Sequence, residues 1–199
     1  MSKSVSRGYP RTLHCGAASI ELRHMCSADG AAVRAFLATL PTHDLLFVQR
    51  DVQHPKVIAA WLQAVEDGVI TSLVAYQGEQ LVGCTAIVTD VLSWSRHVGE
   101  LRVLIAPAWR GRGLGRGLIE ESFKLALKLK LEKLVVQMTV DQSAAIVVFE
   151  ELGFHAEAVL RDHVKDPDGK SHDLAVLSLH VAELALQRQA RGMSTALNE

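Results

Sequence analysis

Cysteine, aromatic residues and excess charge of either sign are all scarce in this chain of 199 residues. Its three cysteines, Cys15, Cys26 and Cys84, have no CxxC spacing and no histidine-rich partner pattern. Their scatter argues against a disulfide framework and against a zinc site, and favours free thiols in a reducing compartment. The formal net charge is −1, which disfavours a general nucleic-acid or membrane-surface binder. Any basic site must therefore be local.

Long apolar runs are also missing. The longest one falls far short of the ~20 residues that a membrane span needs, and the N-terminal residues lack the apolar region of a secretory signal. Hydrophobic residues nevertheless make up 49% of the chain, which suits a globular protein with a sizeable core. The sequence predicts a soluble, cytoplasmic protein with neither a membrane nor a nucleic acid as partner.

The pattern along the chain predicts one domain with short extensions. Residues 1–18 form a polar N-terminal extension that can end in a short edge strand, 19–181 form the domain, and 182–199 form a C-terminal helix and tail. The first predicted helix spans 27–40, with Ser27 as its N-cap. The predicted order is β-α-α-β-β-β-α-β-α-β-β. Hairpins followed by β-α-β crossovers imply an α/β fold, with a mixed sheet flanked by helices.

The stretch "APAWRGRGLGRGL" places glycines and arginines directly before a helix-like pattern. A nucleotide P-loop is excluded because no lysine followed by serine or threonine comes after a glycine here; Gly117 precedes leucine and isoleucine. A dinucleotide fingerprint fails on spacing. When it starts at Gly111 its last glycine position holds Arg116, and when it starts at Gly113 that position holds Leu118.

What remains is the pattern R-x-x-G-x-G, formed by Arg110, Gly113 and Gly115. Glycines let the backbone approach a pyrophosphate closely, and the following helix N-terminus adds partial positive charge. The alternatives are a basic turn that binds nothing and a nucleic-acid site that uses its arginines. The remaining residues that line or flank the predicted cradle are Gly111, Arg112, Leu114 and Arg116.

A strand, R-x-x-G-x-G, a helix, a strand and then a helix ending in "FEELGF" together resemble the GCN5-related N-acetyltransferase (GNAT) superfamily. The resemblance covers roughly residues 19–180. It implies the acyl-CoA N-acyltransferase fold with a sheet of six or seven strands, acetyl-CoA as donor substrate, and no metal. The pyrophosphate would lie on the backbone of 110–115. The strand before the loop would be splayed, so that Val103, Leu104 and Ile105 pair with the pantetheine arm.

Glu100 is the first candidate for the base that takes the proton of the attacking amine. It lies on the strand entering the loop, ten positions before Arg110, which is the offset that superfamily members with a glutamate base use. The alternative is a structural ion pair with Arg102 or Arg96. A backbone N–H of the same strand, at Val103 or Leu104, would meet the oxyanion.

The last predicted helix departs from the family. Phe149 stands at the usual tyrosine position, so it can pack on the thioester region but has no proton to give. Gln142 stands at the usual asparagine position and can still hydrogen-bond the pantetheine arm. Ser143 and His155 are nearby alternatives as proton donor. The departure motivates a rival function, an acyl-CoA-binding sensor or a catalytically weak pseudo-enzyme.

The acceptor is expected between the first two helices and the last hairpin, a region that includes Leu45, Phe47, Trp61, Trp94 and Arg96. A primary amine of a small molecule is favoured because no charged stripe marks a protein-binding groove. A protein lysine or N-terminus is the alternative, and a homodimer stays open.

The hairpin stretch "DHVKDPDGKSHDL" could bring His163 opposite His172. A polar hairpin tip is favoured there over a metal site.

Overall fold

The structure, a computed structural model, describes residues 8–48, 50–186 and 189. Its eight strands are β1 (Arg11–Cys15), β2 (Ala18–His24), β3 (Ile70–Gln77), β4 (Gln80–Val88), β5 (Val98–Ile105), β6 (Lys133–Thr139), β7 (His155–Lys165) and β8 (Ser171–His180). Its main helices are α1 (Gly30–Ala38), α2 (Pro55–Glu66), α3 (Leu114–Lys128) and α4 (Ser143–Glu151), and residues 181–186 are also helical. No helix among these described residues is long and apolar enough to cross a membrane.

All eight strands form one mixed sheet in the order β1-β2-β3-β4-β5-β6-β8-β7. Neighbouring strands are antiparallel except β5 and β6, which are parallel. The α/β fold is as predicted, but the sheet has eight strands rather than six or seven. The additional strand is β1, which pairs with β2 from Arg11 opposite Leu22 to Cys15 opposite Ala18. The short turn at Gly16, where φ is +62°, closes this hairpin.

Helices cover both faces of the sheet. On one face, α1 and α2 pack against β4 and β3; on the other, α3 packs against β4 and β5. Gly83 in β4 permits the close approach of α3, because a Cβ there would lie 3.1 Å from Leu118 Cδ1. The side chains that α3 buries include Leu114, Leu118 and Leu125, each with no exposed surface.

The start of α1 differs from the prediction. Ser27 lies in a short 3-10 turn rather than at the N-cap, and α1 begins at Gly30 with Asp29 as its N-cap. Asp29 is almost fully buried and accepts hydrogen bonds from Arg23, Tyr76 and the Cys26 N–H. Arg23 and Tyr76 lie on β2 and β3, and the contact with Tyr76 could not be read from the local helix pattern.

Strands β5 and β6 pair at one end and separate at the other. Within the described residues, their pairing covers Val98, Gly99 and Glu100 and extends no further, although β5 runs on to Ile105. From Leu101 onward, β5 stays paired with β4, and β6 stays paired with β8. The wedge between β5 and β6 therefore opens toward the glycine loop that follows β5.

Candidate active site

A cavity of about 570 Å³ lies at the open end of the wedge, between β5, the glycine loop and α4. It is wide enough for a drug-sized ligand or part of a larger one. Ten of the twelve residues predicted to bind the donor line it: Val103, Leu104, Ile105, Arg110, Gly111, Gly113, Gly115, Arg116, Gln142 and Phe149. We call it the donor cavity.

The glycine loop presents bare backbone to this cavity. Gly111 and Gly113 have φ of +69° and +85°, the left-handed region that favours glycine, and Gly113 is the N-cap of α3. A Cβ on either glycine would meet no protein atom within 4 Å, so protein packing does not require glycine there. The first helical hydrogen bond of α3 is donated by the Gly117 N–H to the Gly113 carbonyl. The preceding amides of this helix are therefore left for another acceptor, such as an anion.

The three arginines of the loop have different surroundings. Arg110 pairs with Asp44 and also lies 3.5 Å from the Ile105 carbonyl oxygen. Arg116 pairs with Glu151 on α4. Both line the donor cavity, whereas the guanidinium of Arg112 lies 5.2 Å from the Trp109 ring centroid, in a cation–π contact.

Leu114 also differs from the other predicted donor residues, because its side chain is wholly buried in the core. Only its backbone, at the first position of α3, can take part in an anion cradle.

The hydrogen-bond phase of β5 decides which backbone amides face the wedge. The Ala106 N–H donates to the Val82 carbonyl at 2.9 Å, and Leu104 lies opposite Cys84 in the same register. Because antiparallel pairing alternates, Leu104 turns its peptide groups toward β4, and Val103 turns its own toward the wedge. Of the two amides predicted to meet an oxyanion, the one at Val103 is on the cavity side.

The α4 side of the donor cavity holds the two residues that depart from the family pattern. Phe149 is 7% exposed and packs edge-to-face on Phe154 with ring centroids 5.0 Å apart. Gln142 is the N-cap of α4, and its side chain makes no capping hydrogen bond. Ser143 lines the same cavity, whereas His155 is exposed at the start of β7 and is not part of the lining.

A second cavity of about 320 Å³ lies under α2, against β4 and β5. We call it the α2 cavity. Its wall is mainly apolar, and Leu104 belongs to the walls of both cavities. The residues that line it are Val48, Arg50, Val52, Val57, Ala60, Trp61, Ala64, Ile70, Cys84, Thr85, Ala86, Val88, Arg102 and Leu104. Trp61 is partly anchored there, because its Nε1 donates to Ser72 Oγ at 3.0 Å.

Glu100 forms an ion pair on the same strand. Its two carboxylate oxygens accept hydrogen bonds from Arg102 Nε at 2.7 Å and Arg102 Nη2 at 3.1 Å. Glu100, Arg102 and Leu104 alternate along β5 and so point to one face of the sheet, the face that α2 covers. Arg102 thus stands between the candidate base and the leucine that separates the two cavities.

A polar group that the sequence did not reveal lies beside the donor cavity. His43 Nε2 is 2.9 Å from Asp141 Oδ2 and 3.3 Å from Thr139 Oγ1. The hydrogen bond from Thr139 lowers the pKa of Asp141, and His43 adds to this effect. The contacts tie the 3-10 turn Thr42–Leu45 to the end of β6. Nearly a hundred residues separate the partners, so only the fold brings them together.

Phe47, one of the residues predicted near the acceptor, lines the donor cavity. The predicted site residues that line neither cavity include Leu45, Trp94, Arg96, His163 and His172. Trp94 is completely exposed, and Arg96 is exposed near it. His172 Nε2 lies 2.9 Å from Asp166 Oδ2 within the last hairpin. Among the described residues, no group of three or more histidine, cysteine or acidic side chains is arranged to hold a metal ion.

The fold and the glycine-loop cavity are those of a GNAT-type acyltransferase. Residues 36–154 match the sequence model of the Acetyltransferase (GNAT) family, more than half of the chain. The chain therefore belongs to this family.

Two solved structures share the fold at 25% identity. One is the ribosomal-protein-alanine N-acetyltransferase from Brucella melitensis, with a TM-score of 0.70 over 80% of this chain and 98% of that one. The other is yncA from Salmonella typhimurium, solved with its cofactor acetyl-CoA, with a TM-score of 0.69 over 81% of this chain and 94% of that one.

A curated relative is the Bacillus subtilis protein described as "Putative phosphinothricin acetyltransferase YwnH", 32% identical over 78 residues. The match covers 39% of this chain and 47% of the relative, so the chain spans about half the length of that relative.

Proposed function

We propose that this protein transfers an acetyl group from acetyl-CoA to a primary amine of a small molecule. The observation that carries the proposal is the donor cavity, where a wedge between two parallel strands meets a glycine cradle at a helix N-terminus. The solved structure of the yncA protein, which has the same fold, holds acetyl-CoA. When bound, acetyl-CoA supplies the thioester whose acetyl carbon the amine attacks.

The residues around the donor cavity fit this ligand. Gly111 and Gly113 leave room for close approach of a pyrophosphate, and Arg110 and Arg116 supply positive charge at the rim. The Val103 amide is the donor of β5 that can polarise the thioester carbonyl oxygen. Gln142 is available to hydrogen-bond the extended arm of the donor.

Glu100 is the proposed base, acting through water. It lies four residues from Leu104 along β5, a distance of ~13 Å, so direct contact with an amine beside Leu104 is excluded. A water chain past Arg102 can bridge this distance and deliver the amine proton to the carboxylate. Phe149 offers no proton to the leaving thiolate, which is then protonated from water.

The small size of the α2 cavity supports a small-molecule acceptor. Its volume of about 320 Å³ is at the low end of the about 300–1,000 Å³ typical of small-molecule pockets. The two cavities share Leu104 as a lining residue, so we expect an amine held in the α2 cavity to lie close to the thioester.

The proposal is tested by measuring release of the CoA thiol with a panel of amines. We expect turnover by the wild type, and we expect Glu100→Gln to lower kcat by about 10²- to 10⁴-fold while the Kd of acetyl-CoA stays unchanged. Equal activity of the variant would remove Glu100 from the mechanism. Tight acetyl-CoA binding without turnover of any amine would instead favour the acyl-CoA-sensor function that Phe149 suggests.

A further inference from the structure

The α2 cavity combines an apolar wall with two guanidinium groups. Its apolar lining includes Val57, Ile70 and Val88, while Arg50 and Arg102 are its charged residues. The nearest acidic group on the strand, Glu100, is already held by Arg102. Because Glu100 balances the charge of Arg102, the excess positive charge among the described side chains at this cavity is that of the exposed Arg50.

Such a cavity disfavours a simple amine. An amine in neutral solution is mostly a cation, and bringing it next to the guanidinium groups of Arg50 and Arg102 is electrostatically unfavourable. An acceptor that also has an anionic group removes this penalty, because the anion accepts charge-assisted hydrogen bonds from arginine. The charge of the cavity thus indicates an acceptor with both an amine and an anion.

The positions along β5 set the spacing between these two groups. The amine must reach the thioester beside Leu104, where the two cavities meet. Arg102 lies two residues away on the same face, ~6.6 Å along the strand. An anion a few ångströms from the amine meets this spacing, and a carboxylate on the adjacent carbon is the simplest case. The apolar wall then receives the side chain.

We propose that the acceptor is an α-amino acid with an apolar side chain, whose carboxylate binds Arg102 and whose amine is acetylated. This inference rests on the proposed function. In the step, the amine nitrogen forms a C–N bond with the acetyl carbon as the C–S bond breaks. The amine proton passes through water to Glu100, and the leaving thiolate takes a proton from water.

The same contact gives Arg102 a second effect on the reaction. In the structure, both oxygens of Glu100 are engaged by Arg102. A substrate carboxylate that accepts hydrogen bonds from Arg102 withdraws that guanidinium from Glu100. Both carboxylate oxygens of Glu100 are then available to the water chain when the correct substrate is bound.

The experiment compares leucine with leucinamide and with 3-methylbutylamine, using wild-type protein and acetyl-CoA. These acceptors share the side chain and the amine but differ in the carboxylate. We expect kcat/KM for leucine to exceed that for either neutral analogue by roughly 10- to 100-fold, as for a charged hydrogen-bonding partner. Leucinamide is a stringent comparison, because its less basic amine is deprotonated more readily than that of leucine.

Variants then assign the preference to Arg102. Arg102→Gln should bring the leucine-to-leucinamide ratio close to one, and Arg102→Lys should give an intermediate ratio, because it keeps the charge but loses the two-point geometry. Arg34→Gln, on the exposed side of α1 and outside both cavities, is the matched control and should keep the wild-type ratio. If Arg102→Gln does not fold, the exposed Arg50→Gln variant should still reduce the ratio.

The outcomes separate this inference from the proposed function. Turnover of the neutral analogues as fast as of leucine overturns the amino-acid acceptor and leaves acetyl transfer intact. If the folded Arg102→Gln variant keeps the wild-type ratio of kcat/KM between leucine and leucinamide, the role of Arg102 is overturned. Acetyl-CoA binding with no turnover of any amine overturns the proposed function itself.

Discussion

The ion pair between Asp44 and Arg110 yields a prediction about donor affinity. Arg110 is expected to hold the pyrophosphate of acetyl-CoA, yet in the structure its guanidinium donates to Asp44, and both residues line the donor cavity. Binding of the donor must therefore break this pair and place phosphate charge near the Asp44 carboxylate. Asp44→Asn should tighten acetyl-CoA binding.

The size of this effect follows from the exposure of the pair. The Asp44 side chain is 20% exposed and that of Arg110 is 47% exposed, so the pair is close to a surface salt bridge. Such pairs contribute about 0.2–1 kcal/mol, which corresponds to about 1.4- to 5-fold in Kd. Removing one negative charge from a cavity that takes a pyrophosphate acts in the same direction. We expect a Kd about 2- to 10-fold lower than in the wild type.

Isothermal titration calorimetry with acetyl-CoA measures this change directly. Asp67→Asn, at the exposed end of α2 and outside the donor cavity, is the matched control and should leave the Kd unchanged. The gain should shrink near 1 M salt, where the Debye length is about 3 Å. Unchanged or weaker binding by Asp44→Asn would mean that Asp44 supports Arg110 in donor binding and does not compete for it.

Four further predictions concern the glycine loop, a buried carboxylate and two of the cysteines. Gly113→Ala should lower both Tm and acetyl-CoA affinity, because φ of +85° costs an alanine about 1–2 kcal/mol and the new Cβ enters the cradle; wild-type binding would contradict this. Burial alone would raise the pKa of Asp29, but hydrogen bonds from Arg23 and its other partners lower it to about 2 from 3.8. The charged carboxylate contributes roughly 2 kcal/mol to the free energy of unfolding above pH 3.8, and this contribution is lost as the pH falls toward 2. The free energies of urea unfolding of the wild type and of Asp29→Asn should therefore converge near pH 2. Parallel pH profiles of the two proteins would contradict this. Of the three cysteines only the exposed Cys26 should react with Ellman's reagent in the folded protein. Burial raises the pKa of Cys84 from 9.0 to about 12, so its contribution to stability should fall as pH rises between those values, and a Cys84→Ala variant should lack this alkaline loss.

The elements that the sequence predicted well have strong local signals. The glycine loop and α3 follow from letters that are adjacent in the chain, and the hairpin of β3 and β4 follows from two β-rich runs around a short turn. Ten of the predicted donor residues line one cavity because they lie on the strand, loop and helix that flank a single wedge. The resemblance to the GNAT superfamily indicated these positions, and their binding of the donor stays a prediction.

The parts that were not predicted depend on contacts between distant segments. Asp44 and Arg110 are 66 residues apart, and no local pattern relates them. Ser27 lies in a 3-10 turn, and α1 has Asp29 as its N-cap; one hydrogen-bond partner of Asp29, Tyr76, is 47 residues away. Arg102 was foreseen as one partner of Glu100, but its place in the wall of the α2 cavity follows from the packing of α2 on the sheet.

Acetyl transfer to a small amine can be observed directly when an isotope-labelled acetyl group is followed by NMR. The labelled donor is mixed with the protein and a panel of small amines that includes leucine. We expect the label to move from the thioester to an amide of the acceptor, faster with wild-type protein than with Glu100→Gln. A label that stays on CoA, or appears only as free acetate, while the protein binds the donor would contradict this expectation.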